Sequence, residues 1–149
     1  MLGSAIMIRH IQLKDKEQWE ELYKGYADFY KVKMNNKILQ TVWNWLHDKS
    51  HEVNGLVYEV DGNIVGLAHY RRMPRLLRGQ DMVFLDDLFV TPEYRGRKIG
   101  EKLINRMKEI STTKGWNLVR WITRDDNTRA KSLYDRVAEK TNWDVYELK

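Results

Sequence analysis

The residues best suited to chemistry lie between Asp86 and Tyr134. The segment Leu88-Phe89-Val90-Thr91-Pro92-Glu93-Tyr94-Arg95-Gly96-Arg97-Lys98-Ile99-Gly100-Glu101 places a strand and a turn directly before a helix. The first-turn N–H groups of a helix lack acceptors and sit at the positive end of its dipole, so this junction is an anion site. Arg95, Arg97 and Lys98 add charge at the same point, and Gly96 and Gly100 let a diphosphate approach the backbone closely. No Gly-Lys-Ser/Thr follows at Walker spacing, and the glycines are not spaced G-x-G-x-x-G, which excludes both nucleotide fingerprints.

Other candidates surround this loop. Asp86 and Asp87 interrupt an apolar strand, and regular alternation would send them to opposite faces. Asn127 can cap a helix that carries Ala130, Leu133, Tyr134 and Val137 on one face, where Tyr134 reads equally as core. Arg71, Arg72, Arg75 and Arg78 surround Pro74 in an expected loop, as an anion-binding patch or simply a solvated one. His47 and His51 stand four apart, but no third ligand accompanies them and no metal site is expected. Tyr26, Phe29 and Tyr30 could line a pocket for a cationic amine.

The elements that must position these residues follow from periodicity. Ile8–Leu13 reads as a strand, and Asp15 with Gln18 as a capping box opening a helix through Trp19, Leu22, Tyr23 and Tyr26. A second helix spans Lys37–Leu46. Leu56–Val60 and Ile64–Tyr70 form a hairpin on Asp61-Gly62, because type I′ turns need positive φ. Met82–Val90 is a central strand, Ile99 to Ile110 a helix that Gly115 stops, and Leu118–Thr123 a strand parallel to the central one. Ala130–Val137 is the last helix and Trp143–Leu148 a final strand. The order β-α-α-β-β-β-α-β-α-β implies an α/β fold, a mixed central sheet flanked by helices.

The chain has 149 residues, which predicts a single domain. Its 26 Lys and Arg against 21 Asp and Glu give a formal charge of +5, and 42% hydrophobic content argues against disorder. The absence of cysteine excludes disulfides, thiolate-zinc sites and a cysteine nucleophile. No apolar run approaches the roughly 20 residues of a membrane span. The opening residues are too short for a signal peptide, and residues 1–6 are expected to be an extension ahead of the first strand. A cytoplasmic protein without a membrane partner is expected.

Three stretches resemble the GNAT family, the Gcn5-related N-acetyltransferases. Arg95-Gly96-Arg97-Lys98-Ile99-Gly100 is similar to the family's acetyl-CoA loop, Arg/Gln-x-x-Gly-x-Gly/Ala, with Lys98 in place of the middle glycine and a negative φ expected there. Phe84–Val90 resembles the central strand that a bulge splays from its parallel neighbour. Asn127-x-x-Ala130-x-x-Leu133-Tyr134 resembles the later helix. The likeness is greatest to Hpa2-type members, then to polyamine acetyltransferases.

The resemblance implies direct transfer of acetyl from acetyl-CoA to a primary amine of a polyamine, amino acid or basic peptide. Leu88, Phe89, Val90, Arg95, Gly96, Arg97, Lys98, Ile99, Gly100, Glu101 and Asn127 would hold the co-substrate. Asp86 would be the base, with Asp87 the alternative, and Tyr134 would protonate the departing thiolate. A homodimer is expected by analogy, with Trp143–Leu148 offering an edge. The rival readings are an acetyl-CoA sensor without catalysis and a small basic nucleic-acid-binding module. The latter lacks the interleaved aromatic and basic residues on one face that it needs, so no nucleic-acid partner is expected.

Overall fold

Main-chain pairing organises residues 3–149, the part that the computed structural model describes, around one sheet of order β1-β2-β3-β4-β5. The strands are β1 (Ile6–His10), β2 (Val53–Val60), β3 (Asn63–Arg75), β4 (Gln80–Val90) and β5 (Val119–Trp121). The helices are α1 (Lys16–Phe29), α2 (Asn36–Leu46), α3 (Ile99–Thr113) and α4 (Thr128–Val137). The first four strands are antiparallel, and β5 is parallel to β4, as a β-α-β crossover requires. The expected mixed α/β architecture is therefore present. No helix among the described residues is long and apolar enough to cross a membrane.

The two sheet faces carry separate apolar layers. Leu56, Tyr58, Ala68, Tyr70, Val83 and Leu85 face α3 through Ile99, Leu103 and Met107. Val57, Leu67 and Phe89 face α1 and α2 through Trp19, Leu22, Leu39 and Trp43. Residue 66 sits where α3 begins: a Cβ there would stand 3.2 Å from Ile99 Cγ2 and 3.3 Å from Tyr58 Cβ, so only glycine lets helix and strand approach so closely. The Asp61-Gly62 turn has φ +50° and +83°, as type I′ needs.

Several expectations change. β1 starts at Ile6, so the expected extension 1–6 contracts, and residues 1–2 lie outside the described residues. The Asp15–Gln18 capping box does not form. The Asp15 carboxylate is taken by a bidentate pair with Arg9 at 2.7 and 2.9 Å, and Gln18 instead accepts from the Ile64 N–H. The arginine cluster is not a loop, since β3 runs on to Arg75 and only Arg78 lies in the tight turn. Arg71 pairs with Asp86, Arg72 with Asp81, and Arg75 with Asn117. The strand expected over Trp143–Leu148 is absent: residues 138–149 form no regular element, and Trp143, Tyr146 and Leu148 are 75%, 91% and 103% exposed. Its alternating sequence has strand propensity, but a strand exists only when paired, and β5 is bonded to β4 alone over three residues.

Candidate active site

β4 changes phase halfway along. Val83 and Leu85 face α3, and so do Leu88 and Val90, although regular alternation would turn even-numbered residues the other way. The register explains the switch: His69 pairs with Asp87 while Tyr70 pairs with Leu85, leaving Asp86 as the extra residue of a bulge. Asp87 thereby lands on the α1 face, and the simple opposite-faces expectation for the two carboxylates fails.

Their environments differ. Asp86 pairs with Arg71 through Nε at 3.0 and 3.2 Å. Burial raises its carboxyl above the usual range, with Arg71 opposing and the neighbouring Asp87 charge adding. Asp87 accepts from the Tyr23 hydroxyl at 3.0 Å and lies 2.9 Å from His69 Nδ1. Burial pushes its carboxyl upward, but the bonds from His69, Tyr23 and Tyr26 outweigh this and hold it below the usual range. Among the described residues no Lys or Arg pairs with Asp87. Two adjacent carboxyls are thus driven apart in acidity, the pattern that separates a proton acceptor from a fixed anion.

Beyond the bulge, β4 and β5 part. Pairing covers only Val83–Leu85 against Val119–Trp121. Thr91 N–H donates to Val65, so by antiparallel alternation Phe89 turns its backbone groups to β3, and Leu88 and Val90 turn theirs into the gap. The gap opens into a cleft of about 440 Å³, lined by β4 residues Leu88, Phe89 and Val90, the loop ahead of α3, and α4. At one end α3 begins without a side-chain cap, so the N–H groups of Lys98–Glu101 lack helical acceptors. Gly100 contributes no Cβ, and one added there would meet only Leu133 and Leu88 at 3.7 Å. An elongated phosphate-bearing ligand fits these donors: strand amides along the wall and a helix N-terminus at the end.

Lys98 occupies the left-handed region at φ +61°, against the expected negative φ. The loop turns there as the replaced glycine would turn it, so lysine carries the strain of that conformation. Arg95 does not point freely at the anion site: Nε donates to the Val90 carbonyl at 3.1 Å, and its guanidinium lies over the Phe29 and Phe89 rings at 5.3 and 5.4 Å. Burial lowers its pKa, with the nearby Arg129 adding. Glu101 lines the cleft, but Arg136 holds its carboxylate at 3.0 and 3.2 Å, leaving the backbone N–H for an anion.

Tyr134 lines the same cleft and packs against Trp121, ring centroids 5.2 Å apart. Burial, with Tyr30 second, raises its hydroxyl to about 12. Asn127 caps α4 by accepting from Ala130 N–H at 3.4 Å and donates to the Tyr30 hydroxyl at 3.0 Å. Tyr30 stands over Tyr26, whose ring stacks on Tyr23, so an aromatic ladder on α1 leads from the cleft to Asp87.

The cleft thus gathers Tyr134, Asn127, Leu88–Val90, Arg95, Gly96 and Lys98–Glu101. Arg97 lies outside its lining and stacks on Tyr94 at 4.5 Å, while Asp86 and Asp87 sit at the bulge. Of the expected amine pocket, Phe29 and Tyr30 line the cleft and Tyr26 stands behind them. Sequence reasoning did not place Arg129, Arg136 and His69 in the site; His69 meets Asp87 through the β3–β4 register, which the bulge shifts and no local spacing signals. His47 packs at a tilt against Trp43, and His51 stacks on Trp45.

Comparison with known proteins agrees with this geometry. The model of the acetyltransferase (GNAT) family matches residues 17–138. The chain is 31% identical to the D-amino-acid N-acetyltransferase HPA3 of Saccharomyces cerevisiae, over 99% of this chain and 92% of that protein. It is 37% identical to the thialysine N-epsilon-acetyltransferase of Bos taurus over 48% of this chain and 41% of that protein. Among solved structures, the aminoglycoside N-acetyltransferase AAC(6')-Iy in complex with CoA superposes with a TM-score of 0.84 at 22% identity, covering 99% of this chain and 97% of that one. The chain belongs to the GNAT family of N-acetyltransferases, enzymes that use acetyl-CoA.

Proposed function

We propose that this GNAT N-acetyltransferase, acting as one domain, transfers acetyl to a primary amine held between the β4 bulge and the aromatic face of α1. One observation carries the reading: a half-buried carboxylate that no Lys or Arg among the described residues pairs with, Asp87, is joined by the Tyr23–Tyr26–Tyr30 ladder to the cleft that contains Tyr134. A bare anion beside aromatic faces suits an ammonium group. The acetyl donor would lie along the backbone groups of Leu88 and the Val90 N–H, with its diphosphate at the α3 N-terminus and Lys98.

An ammonium has no lone pair, so a proton must leave first. Asp86, whose carboxyl burial has raised, is the stronger base of the pair and is assigned that role. The freed amine attacks the thioester carbonyl, an N–C bond forms, the C–S bond breaks, the sulfur takes the Tyr134 phenol proton, and the second proton of the attacking nitrogen restores the phenol. Asp87 stays ionised throughout and holds the ammonium end. The names of the relatives support amines of amino-acid type as the first acceptors to test. The exposed apolar residues of 143–148 support a homodimer in which that segment is covered by the second copy, and the reading is of a cytoplasmic enzyme.

The test is acetyl-CoA titration calorimetry followed by a CoA-release screen over polyamines, D- and L-amino acids, aminoglycosides and a basic peptide. Binding of acetyl-CoA in the micromolar range with turnover on at least one amine is expected. Binding without turnover on any amine would leave a sensor, and no binding would remove the reading altogether.

A further inference from the structure

We infer that Trp19 and His69 are positioning residues that fix the imidazole as a neutral donor and so reserve the Asp87 charge for the acceptor's ammonium. This rests on the amine-acceptor reading above and adds the device that keeps the site anionic.

The argument begins with an indole, which can only donate. Trp19 Nε1 stands 2.9 Å from His69 Nε2, with both residues buried. Nε2 must therefore present its lone pair, and the ring's one proton sits on Nδ1, 2.9 Å from Asp87 Oδ2. The tautomer follows from the chemistry of tryptophan alone. A second proton on His69 would have to occupy Nε2, against the Trp19 N–H, in an enclosed layer formed by Trp43, Tyr23 and His69 itself. The charged and titratable groups around the pair are Tyr23, Tyr26 and Tyr30 of α1, Asp86 of β4, Arg71 of β3, and His47 against Trp43 at the end of α2.

The electrostatic outcome is specific. The imidazole N–H and the tyrosine hydroxyls satisfy the Asp87 oxygens without cancelling their charge. An imidazolium in the same place would form an ion pair with Asp87 and repel a cationic acceptor. Trp19 and Tyr23 are one turn apart on α1, so a single helix face supplies both the lock on His69 and a donor to the carboxylate.

The decisive measurement is the two-bond ¹H–¹⁵N spectrum of the full chain labelled at histidine, recorded without ligand. At about pH 8 His69 is expected to show the Nδ1–H tautomer. An Nε2–H tautomer, or a doubly protonated ring at that pH, overturns the proposal. Trp19→Phe should free Nε2, so that KM for the amine rises about tenfold between pH 8 and pH 6 while kcat and KM for acetyl-CoA hold, the scale of one charge cancelled beside a partly buried carboxylate. In Trp19→Phe/His69→Asn the amide still donates to Asp87 but cannot protonate, and that rise should vanish. A Trp19→Phe profile parallel to the wild type counts against the lock. If Trp19→Phe does not fold, the spectrum of the unaltered chain still decides. Failure of every amine as substrate would sink the acceptor reading and leave the tautomer result standing.

Discussion

Asn127 holds two helices with one side chain: its Oδ1 caps α4 at Ala130, and its Nδ2 donates to Tyr30 at the end of α1, 3.0 Å away. The mouth of the cleft is tied across by that amide. Asn127→Ser should keep the cap, hold stability within a few tenths of a kcal/mol, and raise KM for acetyl-CoA by releasing Tyr30. Asn127→Ala should lose about 1 kcal/mol as well. Thermal unfolding and acetyl-CoA kinetics separate the two jobs.

Tyr134→Phe should lower kcat about 100-fold at neutral pH with little change in acetyl-CoA affinity, the scale of one lost general acid. Because burial holds the phenol near 12, the wild-type acid keeps its proton through the working range, and no alkaline limb from it should appear below about pH 11. Wild-type turnover in the variant would remove Tyr134 from the mechanism.

The acidic limb of kcat is expected to follow Asp86. Activity needs the carboxylate, so the rate falls as pH drops through the raised Asp86 value, and Asp86→Asn should abolish both most of the rate and the limb. Arg71 lowers that value, so Arg71→Ala should move the limb to higher pH. Asp87 contributes in the opposite sense to folding. Its depressed carboxyl adds stability that is full above the unfolded-chain value and lost as pH falls through the lower folded one.

Lys98→Gly should raise stability by about 1 kcal/mol, since the left-handed conformation suits glycine and strains lysine. The same change removes a charge at the anion site, so acetyl-CoA affinity should fall and become less sensitive to salt. Denaturant unfolding and calorimetry at two ionic strengths measure the opposing effects.

Arg9→Ala should cost about 3–5 kcal/mol, because it strands the Asp15 carboxylate, 2% exposed, without its bidentate partner. Chemical denaturation reads this directly. An effect below about 1 kcal/mol would show that the pair behaves like a surface bridge.

Local signals made much of the fold legible. The Asp61-Gly62 turn, the α3 periodicity and the Asn127 cap each depend on a few neighbouring residues, and each formed as its sequence directs. The misreadings have one cause, dependence on partners distant in the chain. The bulge at Asp86 exists only relative to the β3 register, and Asp15 left its expected box because Arg9 reached it first. Trp143–Leu148 has strand propensity and no strand beside it. The contact between Trp19 and His69 joins residues fifty apart, which no spacing rule connects.

Gly66 touches neither carboxylate, yet it gauges the site from behind. Its missing methyl group lets Ile99, the first residue of α3, settle against the strand. A side chain there would act as a shim, lifting the start of α3 by a few tenths of an ångström together with the amides that receive the diphosphate. Tyr134, carried on a separate helix, would not follow. The distance between the grip on the donor's tail and the chemistry at its head is therefore calibrated by a hydrogen atom on a neighbouring strand. Small replacements at that position should detune turnover without altering the identity of any residue that lines the cleft.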